Sequence, residues 1–508
     1  MPLAFLRQRP EFALLPGVAL LVHLCTWYGY GWFRDELYYV ACARHLAWGY
    51  VDHPPLSIAI LRLVIDTFGV SLHAIRTVPA LASAITVALV GLIARELGGG
   101  RFAGLIAMTA AVAAPESQAI DFFYSMNALD LLAWPAIALA LLVALRTDRT
   151  RSWTYLGLSL GLGLLNKVSV LWLGAGIAAG LVLTPYRQTI GRRGVWLAAG
   201  LAAVLFAPHV AWQVLHGWPT LEFMRNASKS KMAARGVLTF ATAVISDEGV
   251  VVALVGFAGL AAAFAGALDR RGRVVAWAFV AVFLILALNG TSRTGYLTPA
   301  WTWTFALGGL ALERAIPDRR MAWRTAAAAV IGLFGVVALP MALPVLPTER
   351  YVRYAAALGQ APSTEENAQV GRLPQFYADM NGWDSIVASL EAAWRTLPAD
   401  EQARARFFGT NYGEAGAIDV LGRARGLPPA VATHNNYFFW GPPGDDIDAI
   451  VIMSQNPARW SQSFDHVVLA GATDCGDCMP YENHRQIYIV WGRHVAWADL
   501  WPALRHFE

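Results

Sequence analysis

Asp35 and Glu36 are adjacent carboxylates near the start of a stretch, GWFRDELYYVACARHLAWGYVDHPPL (31–56), that closes on Asp52, His53, Pro54 and Pro55. It follows an apolar run directly, and in so apolar a chain charge of this density belongs at a membrane surface where it does something. Taken alone, a carboxylate pair at a helix start equally well serves the N-terminal dipole. Two further residues favour chemistry. Asp130 lies inside an apolar run after Asn127, and Lys167 separates two others. An ionisable side chain at such depth is costly and is by default functional. An acceptor hydroxyl needs a base within reach of its proton, and an anionic leaving group needs a cation or hydrogen-bond donors. Asp35 suits the first task, and Lys167, His53 and Arg293 the second. No Walker motif is present and no GxGxxG follows a strand, which speaks against a nucleotide donor. A phosphate carried by a lipid is the reading that remains.

The other chemical groups leave alternatives open. Glu36, Asp52 and His209 are of the type that ligates a divalent metal, against a capped or packed histidine at His209. Cys475 and Cys478, in CGDC, read as a short disulfide outside the cytoplasm, or with His484 as a redox or zinc site. Cys25 and Cys42 read as buried small apolar residues. Trp301 and Trp303 suit an interfacial aromatic belt, and Tyr437–Trp440 either core packing or sugar contact.

Composition says where such residues must be held. Of 508 residues 56% are hydrophobic and 15% charged, against roughly 25% charged in soluble domains. The net charge of +4 and the lack of a basic stripe speak against nucleic acid. About eleven apolar spans are expected, near 12–30, 75–96, 101–117, 127–146, 152–166, 167–184, 194–215, 238–267, 273–290, 295–313 and 323–346. Arginines gather in alternate connections: 7 and 9; 95 and 101; 146, 149 and 151; 187, 192 and 193; 270, 271 and 273; 314, 319, 320 and 324. The positive-inside rule makes that set cytoplasmic. Residues 31–74, 117–126, 216–237 and everything after about 347 then face the other side, where Asp35, Asp52, His53, Asp130 and Lys167 are expected to meet. Within 31–74, helices lying in the interface are expected around Leu37–Trp48 and Leu56–Phe68. The domains expected are thus 1–346 in the membrane and 347–508 outside the cytoplasm.

The tail changes character. Helices are expected over 384–397, 414–425 and 497–506, with strands at 405–409, 449–453, 467–469 and 487–490. That alternation describes an α/β domain.

The block FRDELYYVACARHLAWGYVDHPPL resembles the first outer loop of the GT-C glycosyltransferases that use polyprenyl-phosphate sugars, the family 39-like group with protein O-mannosyltransferases and lipid A aminoarabinose transferases. SMNALDLLAW (125–134), GLGLLNKVSVL (161–171) and SRTGYLTPAW (292–301) are similar to other segments of that group, as are LPQFYADMNGWDSIVASL (373–390), TNYGEAGAIDVLG (410–422) and HNNYFFWGPP (434–443) to a bacterial subgroup. Tyr38 stands where the aminoarabinose transferases have Arg, and His53 where they have Lys. The resemblance implies a polytopic GT-C membrane fold, with Asp35 as base and Glu36 and Asp130 completing an acidic site. Asp52, His53, Lys167, Arg293 and Tyr296 would bind substrate. The function implied is inverting transfer of a sugar from a polyprenyl-phosphate donor to a glycan, lipid or protein acceptor outside the cytoplasm, at the inner membrane. The rival is a transporter or flippase of lipid-linked sugars, which would normally carry inverted repeats not visible in this chain; a non-catalytic sensor leaves Asp130 and Lys167 unexplained.

Overall fold

The computed structural model describes residues 8–508, so Arg7 of the first basic connection lies outside the described residues. The described chain is helical up to residue 404, and all five of its strands come after that point. By internal contacts it divides into two units: 1–27, 76–212 and 234–347 form one; 28–75, 213–233 and 348–508 form the other.

Helices occupy every expected apolar stretch of the first unit, among them Glu11–Thr26, Leu72–Glu96, Met126–Thr147, Gly272–Asn289 and Met321–Ala342. Among the described residues five helices are long and apolar enough to cross a membrane unaided, and up to seven if each of two bent pairs is one span. By length and composition alone at most seven of the eleven crossings expected are accounted for: Arg101–Ala113, at 13 residues, is shorter than the roughly 20 that span a bilayer core. Residues 238–267, expected as one span, are Val237–Glu248 and Val250–Phe264, bent by 111°. The break is Gly249, whose φ of +95° suits a residue without a Cβ. The expected pair around Lys167 is two helices, Thr150–Asn166 and Val170–Val182.

Cys42 is buried as expected, but Cys25 is exposed. Phe12, Ala19 and His23 form the buried stripe of its helix, and Cys25 lies off that stripe.

The second unit is built on a mixed sheet. Its strands are β1 (Ala405–Gly409), β2 (Ala430–Ala432), β3 (Ala449–Met453), β4 (Phe464–Ala472) and β5 (Gln486–Arg493), in the order β2-β1-β3-β5-β4. β1 runs parallel to β2 and β3, while β5 is antiparallel to β3 and β4. Alternation along the strands sorts the core, as the two-residue period demands. Phe407, Val451, Met453, Ile487 and Ile489 pack with Trp383, Ile386 and Leu390 of the helix Trp383–Trp394. Phe408, Ile450, Ile452 and Val490 pack with Trp497 and Trp501 of the closing helix Trp497–Leu504. β2 escaped the sequence reading because it is only three residues, Ala-Val-Ala. Cys475 and Cys478 are joined in a disulfide.

The first loop also contributes to this unit. Leu56–Phe68 is one-sided, burying Ser57, Ile58 and Leu61 and exposing Leu63 and Phe68, as the expected interfacial helix would be. The helix Arg34–Arg44 is different: Leu37 to Ala43 are all buried, together with Arg34 and Glu36. A helix floating at an interface would keep a polar face exposed, so that expectation fails here. The tail helix Tyr412–Ala417 packs on it. Gly416 is where they touch, since a Cβ there would come within 2.8 Å of the backbone carbon of Leu37. Nothing larger than glycine fits without the two helices moving apart.

Candidate functional site

The residues singled out from the sequence fall into two clusters, one in each unit. In the first unit, Ser125 caps the helix Met126–Thr147 by accepting a hydrogen bond from the Asn127 N–H. That start places Asp130 one turn in. Its Oδ1 accepts from the Trp134 indole at 2.9 Å and its Oδ2 from the Ser169 hydroxyl at 2.7 Å. Lys167, between two helices, has Nζ 3.4 Å from Asp130 Oδ2 and donates to Asn127 Oδ1 at 2.7 Å. The same ammonium stands 4.7 Å from the centre of the Tyr296 ring, a cation–π distance. Tyr296 follows Arg293 in the short turn ahead of the helix Thr298–Ala315. Asp130, Lys167 and Tyr296 thus meet, although 166 positions separate the first from the last. Asn127, Trp134 and Ser169 were not singled out from sequence, yet each lies in a block that carried the resemblance.

In the second unit, the start of Arg34–Arg44 sets out the carboxylates with different tasks. Glu36 is fully buried, and its Oε2 accepts the Phe33 N–H at 3.0 Å. That is the reciprocal half of a capping box, so its carboxylate is occupied by the helix end. Asp35 keeps 31% of its side chain exposed. Its Oδ1 accepts from the Tyr412 hydroxyl at 2.8 Å and lies 3.7 Å from Arg34 Nε. Tyr412 is presented by Asn411, whose Oδ1 caps the tail helix by accepting from the N–H groups of Gly413 and Glu414. Its own N–H donates to His434 Nδ1.

Arg34 is the hub here. It reaches Asp379 at 3.6 Å and Glu366 at 3.9 Å, and donates to the Tyr481 hydroxyl. Burial pushes the Asp379 carboxyl up to about 6, Glu366 and Asp35 adding to the push and Arg34 opposing it. Sequence reading passed over Arg34, Tyr412, Asp379 and Tyr481; Arg34 could have been found as the direct neighbour of Asp35.

Asp52 and His53 close the loop as a linked pair. Asp52 Oδ1 accepts from the Tyr38 hydroxyl at 3.0 Å and lies 3.7 Å from His53 Nε2. His53 is buried against Tyr39 and Tyr50, ring centres 4.7 Å away in both cases. Burial raises the Asp52 carboxyl and lowers the His53 imidazole, each held back by the other. His53 is therefore neutral near pH 7 and can offer a phosphate a hydrogen bond but no charge. Among the described residues no group of three or more His, Cys, Asp or Glu is placed to hold a metal ion. Of the three candidates from sequence, Glu36 caps a helix, Asp52 binds Tyr38, and His209 packs on Phe206 with ring centres 5.1 Å apart.

Comparison with known proteins gives these arrangements a context. The model of the dolichyl-phosphate-mannose-protein mannosyltransferase family matches residues 52–212. The lipid A galacturonosyltransferase RgtD of Rhizobium johnstonii is 27% identical over 289 residues, which cover 55% of this chain. The chain spans 59% of the length of that curated relative. ArnT from Cupriavidus metallidurans, in the crystal structure of its apo state, superposes with a TM-score of 0.63 over 94% of this chain and 97% of its own, at 13% identity. Its crystal structure with bound undecaprenyl phosphate gives 0.62 over the same coverage. The archaeal oligosaccharyltransferase AglB from Archaeoglobus fulgidus gives 0.50 over 88% of this chain and 70% of its own, at 12% identity. The resemblance drawn from the loop and helix motifs is thus matched by a family model, a sequence relative and solved structures: this chain is a multi-pass membrane protein with the fold of the GT-C glycosyltransferases.

Proposed function

We propose that the chain is an inverting glycosyltransferase that moves one sugar from a polyprenyl phosphate to an acceptor outside the cytoplasm. The observation that carries this reading is Asp35, a carboxylate left partly open and held by one neutral hydroxyl from Tyr412. A base needs that combination of a fixed position and an unoccupied oxygen. In this reading Asp35 takes the proton from the acceptor hydroxyl as that oxygen attacks the anomeric carbon. The bond to the phosphate breaks and configuration inverts. Lys167 takes up charge on the departing phosphate, with Tyr296 flanking its ammonium and Arg293, at the start of the same turn as Tyr296, assigned to the phosphate as well. Asp130 fixes Lys167. Glu36 sets the helix start that aims Asp35, and Asp52 with His53 shapes the loop around it.

The organisation proposed is a membrane catalytic domain over 1–346 and a soluble domain over 347–508. The protein is placed in the inner membrane with its tail extracytoplasmic, because arginines concentrate in alternate connections. RgtD, by name, acts on lipid A, and ArnT binds undecaprenyl phosphate in its crystal structure. An envelope glycolipid is accordingly the first acceptor to test, ahead of protein. Purified protein given labelled polyprenyl-phosphate galacturonate and lipid A bearing its inner-core sugars should label the glycolipid. Movement of intact donor between leaflets without transfer would instead establish the flippase reading, and inactivity across a panel of polyprenyl-phosphate sugars would remove the enzyme reading.

A further inference from the structure

Tyr412 has a second face. Beside it the second unit encloses a cavity of about 220 Å³ lined by Arg34, Lys231, Glu366, Asn411, His434 and Tyr481, among others. No residue of this cavity was singled out from the sequence for binding. We propose that it is the acceptor subsite, and that it takes a single neutral sugar ring of the acceptor glycan. This rests on the glycosyltransferase reading and gives it a substrate class.

Three features of the cavity point that way. Asn411 and Tyr412 follow β1, and His434 follows β2, so the cavity lies beyond the carboxyl ends of two parallel strands. In open α/β sheets that crevice is where ligands bind. Its polar groups are mixed in sign and in hydrogen-bonding sense. Arg34 and Lys231 donate and the Glu366 carboxylate accepts, while the Asn411 amide is occupied by Gly413, Glu414 and Glu482 and forms a fixed wall. Four of the lining side chains, Arg34, Glu366, Tyr412 and His434, belong to residues at least nine-tenths buried, so their orientation is fixed before a ligand arrives.

The charge balance selects the ligand. Arg34 already faces Asp35, Glu366 and Asp379 within 3.9 Å, which leaves no surplus cation on that side for a phosphate. Against the Tyr412 ring, 6.0 Å from its centre, stands the Lys231 ammonium. A neutral ring with several hydroxyls can donate to the carboxylate side and accept from the cationic side at once. An isolated anion or cation would satisfy only one of them. The volume is below the roughly 300 Å³ at which drug-sized pockets begin, which suits one ring rather than a chain.

The position of the cavity gives it a role in the reaction. Tyr412 lines the cavity with its ring and donates its hydroxyl to Asp35. A sugar seated there would lie one side chain from the proposed base, so its neighbour in the glycan could present a hydroxyl to Asp35. Glu366 and Lys231 would then govern acceptor affinity without touching the donor.

Two variants test this. Ala368→Trp plugs the cavity from its lining loop without deleting any polar group, and Lys231→Met removes one cationic contact. With labelled polyprenyl-phosphate galacturonate and inner-core lipid A, the acceptor KM should rise at least tenfold in Ala368→Trp and several-fold in Lys231→Met. The donor KM should stay within about twofold of wild type. Titration calorimetry with the delipidated inner-core oligosaccharide should show the same loss of affinity. Transfer by wild type with an unchanged acceptor KM in both variants overturns the subsite while leaving the glycosyltransferase reading standing. Wild-type transfer to a serine- or threonine-bearing peptide, and not to the glycolipid, also overturns it. A wild-type protein that transfers nothing overturns both.

Discussion

Two carboxylates of this chain look equivalent in the sequence and differ sharply in the folded protein. Asp130 is 1% exposed, with its oxygens taken by Trp134, Ser169 and the Lys167 ammonium. Asp35 is 31% exposed and has one neutral donor, Tyr412, within hydrogen-bonding distance. A carboxylate whose lone pairs are all engaged is a holder of charge. One with an oxygen left open is a proton acceptor in waiting. Depth in an apolar run marks an acid as important; its remaining hydrogen-bonding capacity tells whether it does chemistry or keeps another residue in place.

The largest test of that contrast is Asp35→Asn. Asparagine preserves size and can still accept from Tyr412, so the protein should extract and melt as wild type does. Transfer should fall by about 10²–10⁴, the range for removal of a general base. Asp130→Asn, assayed alongside, should lower transfer far less and stability far more. Equal losses of transfer in the two variants would erase the distinction.

The second test concerns stability. Lys167→Met leaves Asp130 buried without its ion-pair partner, a situation that typically costs about 3–5 kcal/mol. Its melting temperature in detergent should drop clearly, and the double variant Asp130→Asn with Lys167→Met should recover most of the loss. The transfer rate reads out the other half of the role. If Lys167 meets the phosphate, donor KM stays raised in the double variant even as stability returns. Recovery of both would reduce Lys167 to a structural partner.

How far the sequence reaches also follows from this contrast. The strands Ala405–Gly409 and Ala449–Met453 were legible to the residue, because buried strands are short apolar runs between turn residues. The meeting of Asp130 with Lys167 was legible as well, since each interrupts an apolar run that cannot tolerate an unpaired charge. Arg34 and Tyr412 were not. Arg34 opens a helix in a charged stretch where the adjacent carboxylates alone suggest the chemistry, and Tyr412 is 377 residues from Asp35, beyond the reach of any local pattern. The burial of Arg34–Arg44 was missed for a related reason: its mixed composition fits an interface, and much of what covers it comes from the distant tail, where the helix Tyr412–Ala417 is seated through Gly416.

A smaller effect sharpens the assignment of Asp35. Tyr412→Phe removes the hydroxyl but keeps the ring against Tyr38, whose centre is 4.8 Å away. That hydroxyl donates to Oδ1 at 2.8 Å and so holds the carboxylate in one orientation. Without it the base is less well aimed, and kcat should fall about tenfold, as expected of a hydrogen bond to a charged group worth about 1.5 kcal/mol. The donor KM should stay where it is. An unaltered kcat would make Tyr412 a packing residue alone.

The smallest effect is expected at His53, where the sequence offered a phosphate contact. Burial lowers the pKa of its imidazole below the ordinary histidine value, so between pH 7 and 8 it has little charge to lose. Raising the pH across that window should therefore change neither its hydrogen bonding nor the donor KM. His53→Gln retains a side-chain donor for Asp52, and donor KM should stay within about fivefold, since one neutral hydrogen bond is worth only about 1 kcal/mol. Lys167, whose ammonium is held by Asp130 and Asn127, is the residue whose loss should matter to the phosphate. If His53→Gln instead abolished an inflection between pH 7 and 8 in the wild-type donor KM, the imidazole would be titrating in the complex and would contribute charge of its own to stabilising the leaving group.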